Sequence, residues 1–492
     1  MTAVGSRHGL IGPVAQADPA GTGGPDAPVV PRLLAGLRAP GGAPDLEHHH
    51  RVHGRLPQPD RRSHSAWSSR LLAEVEGAGL NGRGGAGFPT SRKVAALRKS
   101  WRKPAVVINA MDSEPAAGKD WLLTTGTPHL VLDGAATLAR LVDAASVTVC
   151  VSEARPDAAR ALRIAVGQRA QAAVDPVAVE IRQPPDRYVA GEESSLVHWL
   201  DAGVARPLFR RNGPSDLALA NRPVLVHNAE TASHLALIAR HGARWFRDAP
   251  TELGLDVPPS WGAAGTMLAS VGGAVETPGI FEVPVGLRLD RLLAYVGAPS
   301  LTPGVLLGGY GGTWLPPEAL CTPMAPEPLR RLADTFGISA ALGAGVVLVL
   351  PPGSCPLAET ARITRWMAAE NAGQCGPCVF GLPALAEDLE SLAFGNLRGE
   401  GFAHLRHHLE VVSGRGACRH PDGVVRMVRT SLTAFARHVQ DHVAKGSCPG
   451  VAMPGVAPLP SRPLPGRPAG DRTRARPVGQ VPVALSGSSR FR

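Results

Sequence analysis

The chain has 492 residues, of which 44% are hydrophobic, and its formal net charge at pH 7 is +10. This length allows about three domains and this apolar fraction can bury large cores, which indicates a soluble globular protein. Residues 449–492 carry +6 of the charge and residues 1–62 carry +2, so the part between them is nearly neutral. Because the Arg-rich tail lacks interleaved aromatic residues, the composition predicts no nucleic-acid partner.

Cysteine usage and hydropathy predict a cytoplasmic protein without a membrane span. The seven cysteines are odd in number and unevenly spread, unlike a secreted disulfide scaffold. The N-terminus has no sustained apolar core of the kind that a signal peptide needs. The longest uncharged run, 335–358, is interrupted by glycines and by a Pro-Pro-Gly turn, so it cannot cross a bilayer as one helix. VVLVL (346–350) within it predicts a buried strand.

Residues 1–62 are predicted to form a largely disordered N-terminal arm. The first 30 residues are rich in Gly, Pro and Ala without periodicity. A short helix or strand is predicted to begin at about residue 31, and HHHRVHGRLP (48–57) is interpreted as solvated, with no second ligand cluster nearby for a metal. WSSRLLAEVEGAGL (67–80) then has the pattern of an amphipathic helix.

A glycine-rich loop follows that helix, GLNGRGGAGFPTSRK (79–93), with five glycines within nine residues. Glycines allow φ > 0 and let a ligand approach the backbone closely. Successive N–H groups can then point into one concavity, and Arg83 and Lys93 add full charges, so the loop can cradle a phosphate at the start of the next helix. The loop by itself leaves the simpler interpretation open, a tight turn before a helix.

Strand and helix patterns alternate after the loop and predict a doubly wound α/β domain over residues 63–250. PAVVINA (104–110) is typical of a buried parallel strand and ends at the acidic turn MDSEPAAGKD (111–120). Polar groups at the carboxyl end of such a strand lie where open α/β sheets bind ligands. A helix at 128–144, a strand at 146–154 and a helix at 156–173 continue the alternation.

Two adjacent acids, Glu192 and Glu193, follow a glycine at the start of a predicted helix in DRYVAGEESSLVHWLD (186–201). Such carboxylates commonly cap a helix and interact with its dipole, and they can also accept hydrogen bonds from a ribose, a nicotinamide or a flavin. NRPVLVHNAETASHLALI (221–238) then predicts a strand, an Asn-containing turn and a helix.

Three further regions complete the predicted organisation. Residues 264–330 have short strands, turns and one helix, which indicates a small α+β domain. Residues 356–446 have the pattern of four helices, a count that fits a bundle. Residues 449–492 are rich in Pro and Arg, and no fold is predicted for them.

The helical region also contains a cysteine motif. GQCGPC (373–378) gives Cys375 and Cys378 a C-x-x-C spacing, and GRGACRHP (414–421) adds Cys418. Thiolates at this spacing can share a metal or a cluster, although a redox disulfide or a zinc site has the same spacing. The other cysteines, Cys150, Cys321, Cys355 and Cys448, lack such spacing and are interpreted as packed thiols.

Together and in this order, these motifs resemble the NADH-binding flavin subunit of respiratory complex I and related subunits of bacterial hydrogenases and formate dehydrogenases. The resemblance covers residues 65–445 and rests on five segments: GRGGAGFPT with Lys93, INAMDSEP, YVAGEES, HNAET and GGAVETPGIFEVPVG, with GQCGPC and Cys418 as the cluster motif. It implies a Rossmann-like FMN-binding domain, a small ubiquitin-like (SLBB-type) domain and a C-terminal four-helix iron–sulfur bundle.

The resemblance also implies residue roles. Those for the FMN phosphate and ribityl chain are Gly82, Arg83, Gly84 and Lys93, with Gly85 and Gly87 in the same loop. Those lining the flavin are Asn109, Asp112, Tyr188, Gly191, Glu192, Glu193 and Asn228. Those facing the nicotinamide nucleotide are Phe88 and Glu114. Those assigned a catalytic part are Glu114, Glu192 and Glu193, and the iron–sulfur ligands are Cys375, Cys378 and Cys418.

The chain departs from the family pattern at several positions. Met111 stands where the family has the first of two successive acids, and two family aromatics that stack on the dinucleotide fall at Ala96 and Gly213. Losing two stacking contacts predicts NADH binding weakened by about tenfold or more. Ala372 replaces the first cysteine of C-x-x-C-x-x-C, so a 4Fe-4S cluster would leave one iron to water or to a side chain such as Asn371, or become a 3Fe-4S cluster.

Two hypotheses follow. In the first, the chain is an NADH dehydrogenase-like oxidoreductase that passes electrons from NAD(P)H through FMN and the cluster to a protein partner or quinone. In the second, it is a non-catalytic assembly or electron-relay subunit that keeps the fold and cluster but has lost NADH binding. The positions that favour the first are Gly84, Lys93, Glu192 and Glu193, and those that favour the second are Ala96, Met111, Gly213 and Ala372. The resemblance implies a ferredoxin-like or other electron-transfer subunit as partner, a membrane-bound redox partner, and a position at the inner face of the membrane.

Overall fold

A computed structural model describes residues 31–37, 45–60, 62–98, 100–209, 217–262, 264–397 and 400–460. The described residues do not include 1–30, Gly213 or most of the Pro- and Arg-rich tail. The predicted disorder of residues 1–30 and the departure at Gly213 therefore lie outside the described residues. None of the helices within the described ranges combines the length and the hydropathy that a membrane crossing requires.

The helices are α1 Leu46–His53, α2 His64–Ala78, α3 Thr90–Arg98, α4 Lys119–Gly126, α5 Pro128–Val142, α6 Pro156–Gln171, α7 Glu193–Ala202, α8 Ala229–Arg247, α9 Leu289–Tyr295, α10 Pro326–Phe336, α11 Pro356–Ala369, α12 Leu382–Ala393, α13 Gly401–Val412, α14 His420–Ala434 and α15 Ala436–Lys445. The strands are β1 Ala105–Ala110, β2 Ser146–Val151, β3 Val179–Arg182, β4 Ala218–Leu219, β5 Arg222–Asn228, β6 Thr266–Gly273, β7 Gly279–Pro284, β8 Val305–Leu307, β9 Thr313–Leu315 and β10 Val346–Val349.

The first sheet has the strand order β3-β2-β1-β5-β4, in which only the short edge strand β4 is antiparallel to its neighbour. Its central strands are runs of Val and Ile, buried almost throughout, which suits parallel strands covered on both faces. Helix α5 is buried along nearly its whole length and packs against α8, β1 and β2. The predicted α/β fold class is confirmed, and β1 lies at its centre.

The second sheet has the order β7-β6-β10-β8-β9. β6 and β10 are parallel neighbours in its centre, and the other pairs are antiparallel. β6 and β7 form a hairpin, α9 follows them, and the last strand, β10, lies parallel to β6 in the centre of the sheet. This arrangement is the one expected of a ubiquitin-like domain. The strand predicted within VVLVL is β10, and it lies in this sheet, beyond residues 264–330.

The C-terminal part has five helices among the described residues where four were predicted. The segment predicted as one last helix divides into α14 and α15 at Phe435, whose φ and ψ of −113° and 32° are not helical. The Phe435 ring packs edge-on against Trp314 of β9, with 5.6 Å between ring centroids. Burying this aromatic side chain against the second sheet accounts for the break.

Two regions without a predicted fold are structured. Residues 48–57, interpreted as solvated, include most of α1, where the His49 Nε2 lies 2.7 Å from a carboxylate oxygen of the buried Asp133. Burial raises the pKa of Asp133, but the His49 hydrogen bond and the charges of Arg169 and Arg240 outweigh it and hold that pKa well below its usual range. An ion network inside the α/β core therefore fixes this segment.

The start of the C-terminal tail also packs. The N–H groups of Val456 and Ala457 donate to a Glu359 carboxylate oxygen at 3.1 and 2.7 Å, and the Trp366 indole donates to the Pro460 carbonyl at 3.0 Å. Residues 449–460 thus lie along α11, because α11 presents polar groups that satisfy their backbone.

Candidate functional site

Two asparagines mark the point where the strand order of the first sheet reverses. Asn109 near the end of β1 and Asn228 at the end of β5 are partners in the parallel register. The order runs outward from β1 on both sides, so the crevice at these carboxyl ends is where open α/β sheets bind ligands. The Asn109 amide donates to the Gly191 carbonyl at 2.8 Å, and the Asn228 side-chain oxygen accepts from the Glu230 N–H at 3.0 Å.

The glycine loop lies against the same strand ends, and backbone hydrogen bonds hold its two ends together. Gly85 and Gly87 have φ values of 112° and 62°, where L side chains are strained. A Cβ on Gly84 would lie only 3.3 Å from the Asn228 Cβ. Glycine is therefore needed both for the turn and for its approach to the sheet.

A cavity of about 610 Å³ opens where the glycine loop, the strand ends and a turn before α14 meet. Its volume lies within the range of about 300–1,000 Å³ that is usual for ligand sites. The sequence-predicted residues that line it are Gly82, Gly84, Gly87, Phe88, Lys93, Asn109, Gly191, Glu192, Glu193, Asn228 and Cys418. Loop, sheet and cysteine turn thus share one cavity.

Lys93 and Glu193 form an ion pair within the cavity wall. The Lys93 Nζ lies 2.5 Å from the Glu193 Oε1 and donates to the Val226 carbonyl at 2.7 Å. The two side chains are 18% and 22% exposed, so solvent screens the pair only partly. Lys93, predicted to bind the FMN phosphate, therefore lies beside Glu193, predicted to line the flavin.

Glu192 is the N-cap of α7. One of its carboxylate oxygens accepts from the N–H groups of Ser194 and Ser195 at 2.9 and 3.0 Å, which is the capping role that the sequence left open. Burial raises the pKa of the Cys418 thiol to about 11, and the nearby Glu192 carboxylate adds to this increase. Glu192 therefore caps a helix at the cavity wall beside the cysteine turn.

Two residues assigned to the cofactor have side chains committed elsewhere. The buried Arg83 guanidinium donates through Nη2 to the carbonyl oxygens of Ala264 and Thr266, at 3.1 and 3.0 Å, and does not line this cavity, so its role at a phosphate stays a prediction. The Asp112 carboxylate accepts from the Trp121 N–H at 2.6 Å and so caps α4 instead of lining the cavity. Gly85, from the same loop, also lies outside the cavity lining.

Glu114 and Tyr188 lie outside the cavity lining as well. The Glu114 Oε2 accepts from the Tyr310 N–H at 2.9 Å and from the Tyr188 hydroxyl at 3.4 Å, and thereby links the end of β1 to the second sheet. Burial raises the pKa of Glu114 to about 7, despite these hydrogen bonds. The Tyr188 ring packs edge-on against Trp366 of α11. Their roles beside the nicotinamide and the flavin stay predictions.

The cavity contains residues that the sequence reasoning missed. His227 is buried in its wall and its Nε2 has no hydrogen-bond partner among the described residues, while burial lowers its pKa to about 3. Phe209 also lines the cavity, with 77% of its surface exposed. The available sequence signal for Phe209 was an aromatic residue directly before the polar segment RRNG (210–213). Ala96, by contrast, is absent from the lining.

The three motif cysteines lie close together. Burial, together with the neighbouring Cys418 and Cys375, raises the pKa of Cys378 to about 12. Cys378 lies in a π-helical turn, Pro377–Gly381, a distortion that is frequent at functional sites. Three neighbouring thiols of this kind can ligate one iron–sulfur cluster, which would also release their protons.

Asn371 is already engaged at both ends of its amide. Its Nδ2 donates to the Ala368 carbonyl at 2.6 Å and its Oδ1 accepts from the Gly373 N–H at 2.7 Å. Both groups of the Asn371 amide are thus already hydrogen-bonded, and its part as a fourth cluster ligand stays a prediction. Ala372 offers no donor atom, so this motif supplies three thiols.

The remaining cysteines divide into three cases. Cys150 is buried, as predicted for a packed thiol, whereas Cys321 is exposed. Cys355 and Cys448 lie next to two histidines, with Sγ-to-Nε2 distances of 3.4 and 3.5 Å to the nearer one, His438. Both thiols also pack in the C-terminal core, as predicted, so the histidines beside them are what the prediction missed.

Comparison with known proteins matches both halves of this site. Residues 75–237 match the model of the Nuo51 FMN-binding domain, and residues 358–442 match that of the NADH-ubiquinone oxidoreductase-F iron–sulfur binding region. The fold and the site thus define a flavin- and iron–sulfur-dependent electron-transfer oxidoreductase. The chain belongs to the family of NADH-quinone oxidoreductase F-type subunits, as a divergent member.

The relatives show how divergent it is. The F-type subunit of the NADH-quinone oxidoreductase of Mycobacterium tuberculosis is 28% identical over 396 residues, covering 77% of this chain and 86% of that protein. The NADP-reducing hydrogenase subunit HndC of Solidesulfovibrio fructosivorans is 24% identical over 389 residues, covering 76% of each. A solved NAD⁺-reducing nickel–iron hydrogenase chain superposes with a TM-score of 0.67 at 29% identity. That match covers 76% of this chain and 62% of the hydrogenase chain.

Proposed function

We propose that the cavity holds FMN and that this chain carries electrons from NAD(P)H to a partner protein through the flavin and an iron–sulfur cluster. The observation that carries the proposal is the shared cavity, whose wall contains both Lys93 of the glycine loop and Cys418 of the cluster motif. A flavin in this cavity would lie directly beside the cluster. When bound, FMN accepts a hydride from a reduced nicotinamide and returns single electrons.

The residues present fit a flavin. Gly84 lines the cavity without a side chain, so a ligand can approach the loop backbone there. A Cβ at this position would crowd Asn228. The unpartnered Nε2 of His227 and the fixed amide of Asn109 offer polar contacts in a wall that is otherwise buried. Lys93 supplies the positive charge that a phosphate requires.

Each group has a separate task. The glycine loop and Lys93 hold the phosphate end, while Asn109, His227 and Asn228 orient the ring end at the strand termini. Glu193 holds Lys93 in place, and Glu192 keeps the start of α7 fixed beside Cys418. Buried, hydrogen-bonded side chains of this kind position a cofactor without having to reorganise during the reaction.

The nucleotide is assigned to the open side of the cavity. Phe88 and Phe209 are 47% and 77% exposed and both line it. Exposed aromatic rings at a cavity mouth suit stacking on a nicotinamide or an adenine. Phe209 lies four residues before Gly213, where the family aromatic is missing, and it supplies an aromatic ring from the same segment.

The cluster is assigned to Cys375, Cys378 and Cys418. These three thiols hold the iron–sulfur cluster, with one iron left without a cysteine ligand because position 372 is alanine. The relatives are subunits of larger redox assemblies by name. A ferredoxin-like or similar electron-transfer subunit at the inner face of the membrane is accordingly the proposed partner.

The deciding experiment is an absorption spectrum of anaerobically purified full-length protein, before and after addition of NADH or NADPH. Flavin bands that bleach with either nucleotide support the proposal. Flavin bands that persist with both nucleotides but bleach with dithionite support the alternative, an assembly or relay subunit without nucleotide binding. Two features favour that alternative: the Lys93–Glu193 ion pair, which partly neutralises the lysine, and Ala372, which removes a cluster cysteine. Protein without flavin, even after incubation with FMN, would overturn both the cavity assignment and the electron route.

A further inference from the structure

Four potential metal ligands meet at the end of the helical region, away from the iron–sulfur motif. One ligand atom from each of Cys355, His438, His442 and Cys448 lies within 4.8 Å of every other. Cys355 and His442 are buried, and the other two are partly buried. We propose that these four residues form a second metal centre, a structural zinc site that is separate from the iron–sulfur cluster.

The distances between the ligand atoms fit one tetrahedral ion. Zn–S bonds of about 2.3 Å and Zn–N bonds of about 2.0 Å place neighbouring S and N atoms about 3.5 Å apart. The Cys355 Sγ lies 3.4 Å from the His438 Nε2 and 3.6 Å from the His442 Nε2. The Cys448 Sγ lies 3.5 Å from the His438 Nε2. These three distances fit three of the six edges of a tetrahedron of the required size, and the other ligand-atom pairs lie within 4.8 Å.

The fold brings the ligands from three places in the chain. His438 and His442 are four residues apart in α15, so both point from one helix face. Cys355 is the residue before α11, and Cys448 follows the turn that ends α15. An ion held here ties the start of the helical region to its end.

The surroundings orient the ligand atoms as metal sites require. The His442 Nδ1 lies 3.1 Å from the Leu392 carbonyl, so this nitrogen carries the proton and Nε2 is left to bind a metal. The Cys355 Sγ accepts a hydrogen bond from the Ala358 N–H at 3.4 Å, at the start of α11. A thiolate at a helix N-terminus is stabilised by the helix dipole.

The donor set selects the metal. Two thiolates and two imidazoles in a tetrahedron are typical of zinc, and four protein ligands leave no open position, which indicates a structural and not a catalytic ion. A two-iron cluster with the same ligands would hold its Cys and His pairs on different irons, and mutual distances within 4.8 Å are too short for that.

Elemental analysis of purified full-length protein tests the proposal. We expect about one zinc per chain in the wild type. Cys448→Ser and His438→Gln should each lower zinc to below about a tenth of that value, with iron unchanged, because neither residue belongs to the cluster motif. Cys375→Ser should do the opposite and lower iron alone. Matched controls are Cys321→Ser and His407→Gln, both at exposed positions, and both should keep zinc and iron.

A measurement on the wild type covers the case in which a variant fails to fold. Zinc X-ray absorption should show two sulfur atoms at about 2.3 Å and two nitrogen atoms at about 2.0 Å. The proposal is overturned if the wild type contains no zinc after incubation with an equimolar amount, if the scatterers are mainly sulfur or oxygen, or if folded Cys448→Ser keeps its zinc. Loss of flavin binding would leave all these outcomes intact, so this test is independent of the proposed electron route.

Discussion

The Lys93 ammonium lies 2.5 Å from a Glu193 carboxylate oxygen, so two residues assigned to the same cofactor already bind each other. An incoming phosphate therefore meets a lysine that is held in place but partly neutralised. This pairing keeps the cation from folding away into the solvent, and it lowers the net attraction that the cavity offers to an anion.

Lys93→Met should weaken FMN binding by about tenfold or more, because a hydrogen bond to a charged group contributes about 1.5–3 kcal/mol. Flavin fluorescence titration of the deflavinated full-length protein measures the effect. Lys103→Met is the matched control, since Lys103 pairs at 2.9 Å with Asp143 and both side chains are at least 60% exposed. Equal FMN affinities in the wild type and the Lys93 variant would remove Lys93 from the phosphate site.

The two acids of α7 should separate binding from reduction. Replacing Glu192 and Glu193 together by Gln keeps their size and leaves an oxygen to cap Ser194 and Ser195. We expect FMN to be retained while its reduction by NAD(P)H slows, because two negative charges beside the cavity are lost. Stopped-flow absorbance measures the rate. If the rate is unaltered, the two acids serve only as cap and ion-pair partner.

Phe209→Ala should raise the KM for the nicotinamide nucleotide without changing FMN content. An aromatic stacking contact contributes about 0.5–1.5 kcal/mol, which corresponds to a factor of about 2–10 in affinity. Trp101→Ala is the control, because Trp101 is 86% exposed and does not line the cavity. Steady-state kinetics with an artificial acceptor provide the comparison, and the same KM in all three proteins would contradict this role.

The buried carboxyl of Glu114 should make stability depend on pH. Burial raises its pKa from 4.5 to about 7, so between these values the folded chain binds more protons than the unfolded chain. The free energy of unfolding contributed by this group therefore falls as the pH rises from 4.5 to 7 and is constant above that. Glu114→Gln should abolish this change and be more stable than the wild type by about 3 kcal/mol at pH 8.

Urea unfolding at pH 5 and pH 8 measures the difference between the two proteins. Subtracting the variant from the wild type removes the contributions of other titrating groups. A difference that is the same at both pH values would show that Glu114 titrates normally.

Ala372→Cys should complete the ligand set of the cluster and make it resistant to oxygen. In the wild type one iron lacks a thiolate, so oxidation should convert a four-iron cluster into a three-iron one. Electron paramagnetic resonance of oxidised protein should detect the three-iron signal in the wild type and not in the variant. Ala369→Cys, three residues earlier and beside Phe394 in a different cavity, should behave like the wild type. A three-iron signal that persists in Ala372→Cys would rule out this position as the missing ligand.

The sequence predicted best what depends on backbone pattern. Asn109 and Asn228 end apolar β-branched runs, and the alternation of elements alone places such ends at one sheet edge. Glycine spacing likewise predicted the loop, and Gly85 and Gly87 take the positive φ that only glycine adopts freely. These features are local, so tertiary packing does not override them.

The contacts that the sequence did not predict depend on distant partners. The Arg83 side chain donates to the carbonyls of Ala264 and Thr266, which lie 181 and 183 residues further along the chain, so no local pattern could predict this contact. Cys355 lies more than 80 residues before His438 in the chain, so no spacing rule joins them. The H-x-x-x-H pattern of His438 and His442, followed by Cys448, was the sequence signal for the proposed zinc site.

The turn that holds Cys418 forms one side of the cavity, so filling the two centres is a single linked equilibrium. A cluster that fixes this turn completes the wall around a flavin, and a flavin packed against the wall restrains the turn in the same measure. The reciprocity is a matter of thermodynamics and does not depend on which centre is filled first. If both centres fill as proposed, protein from iron-limited cells should therefore also contain less FMN than protein from iron-replete cells.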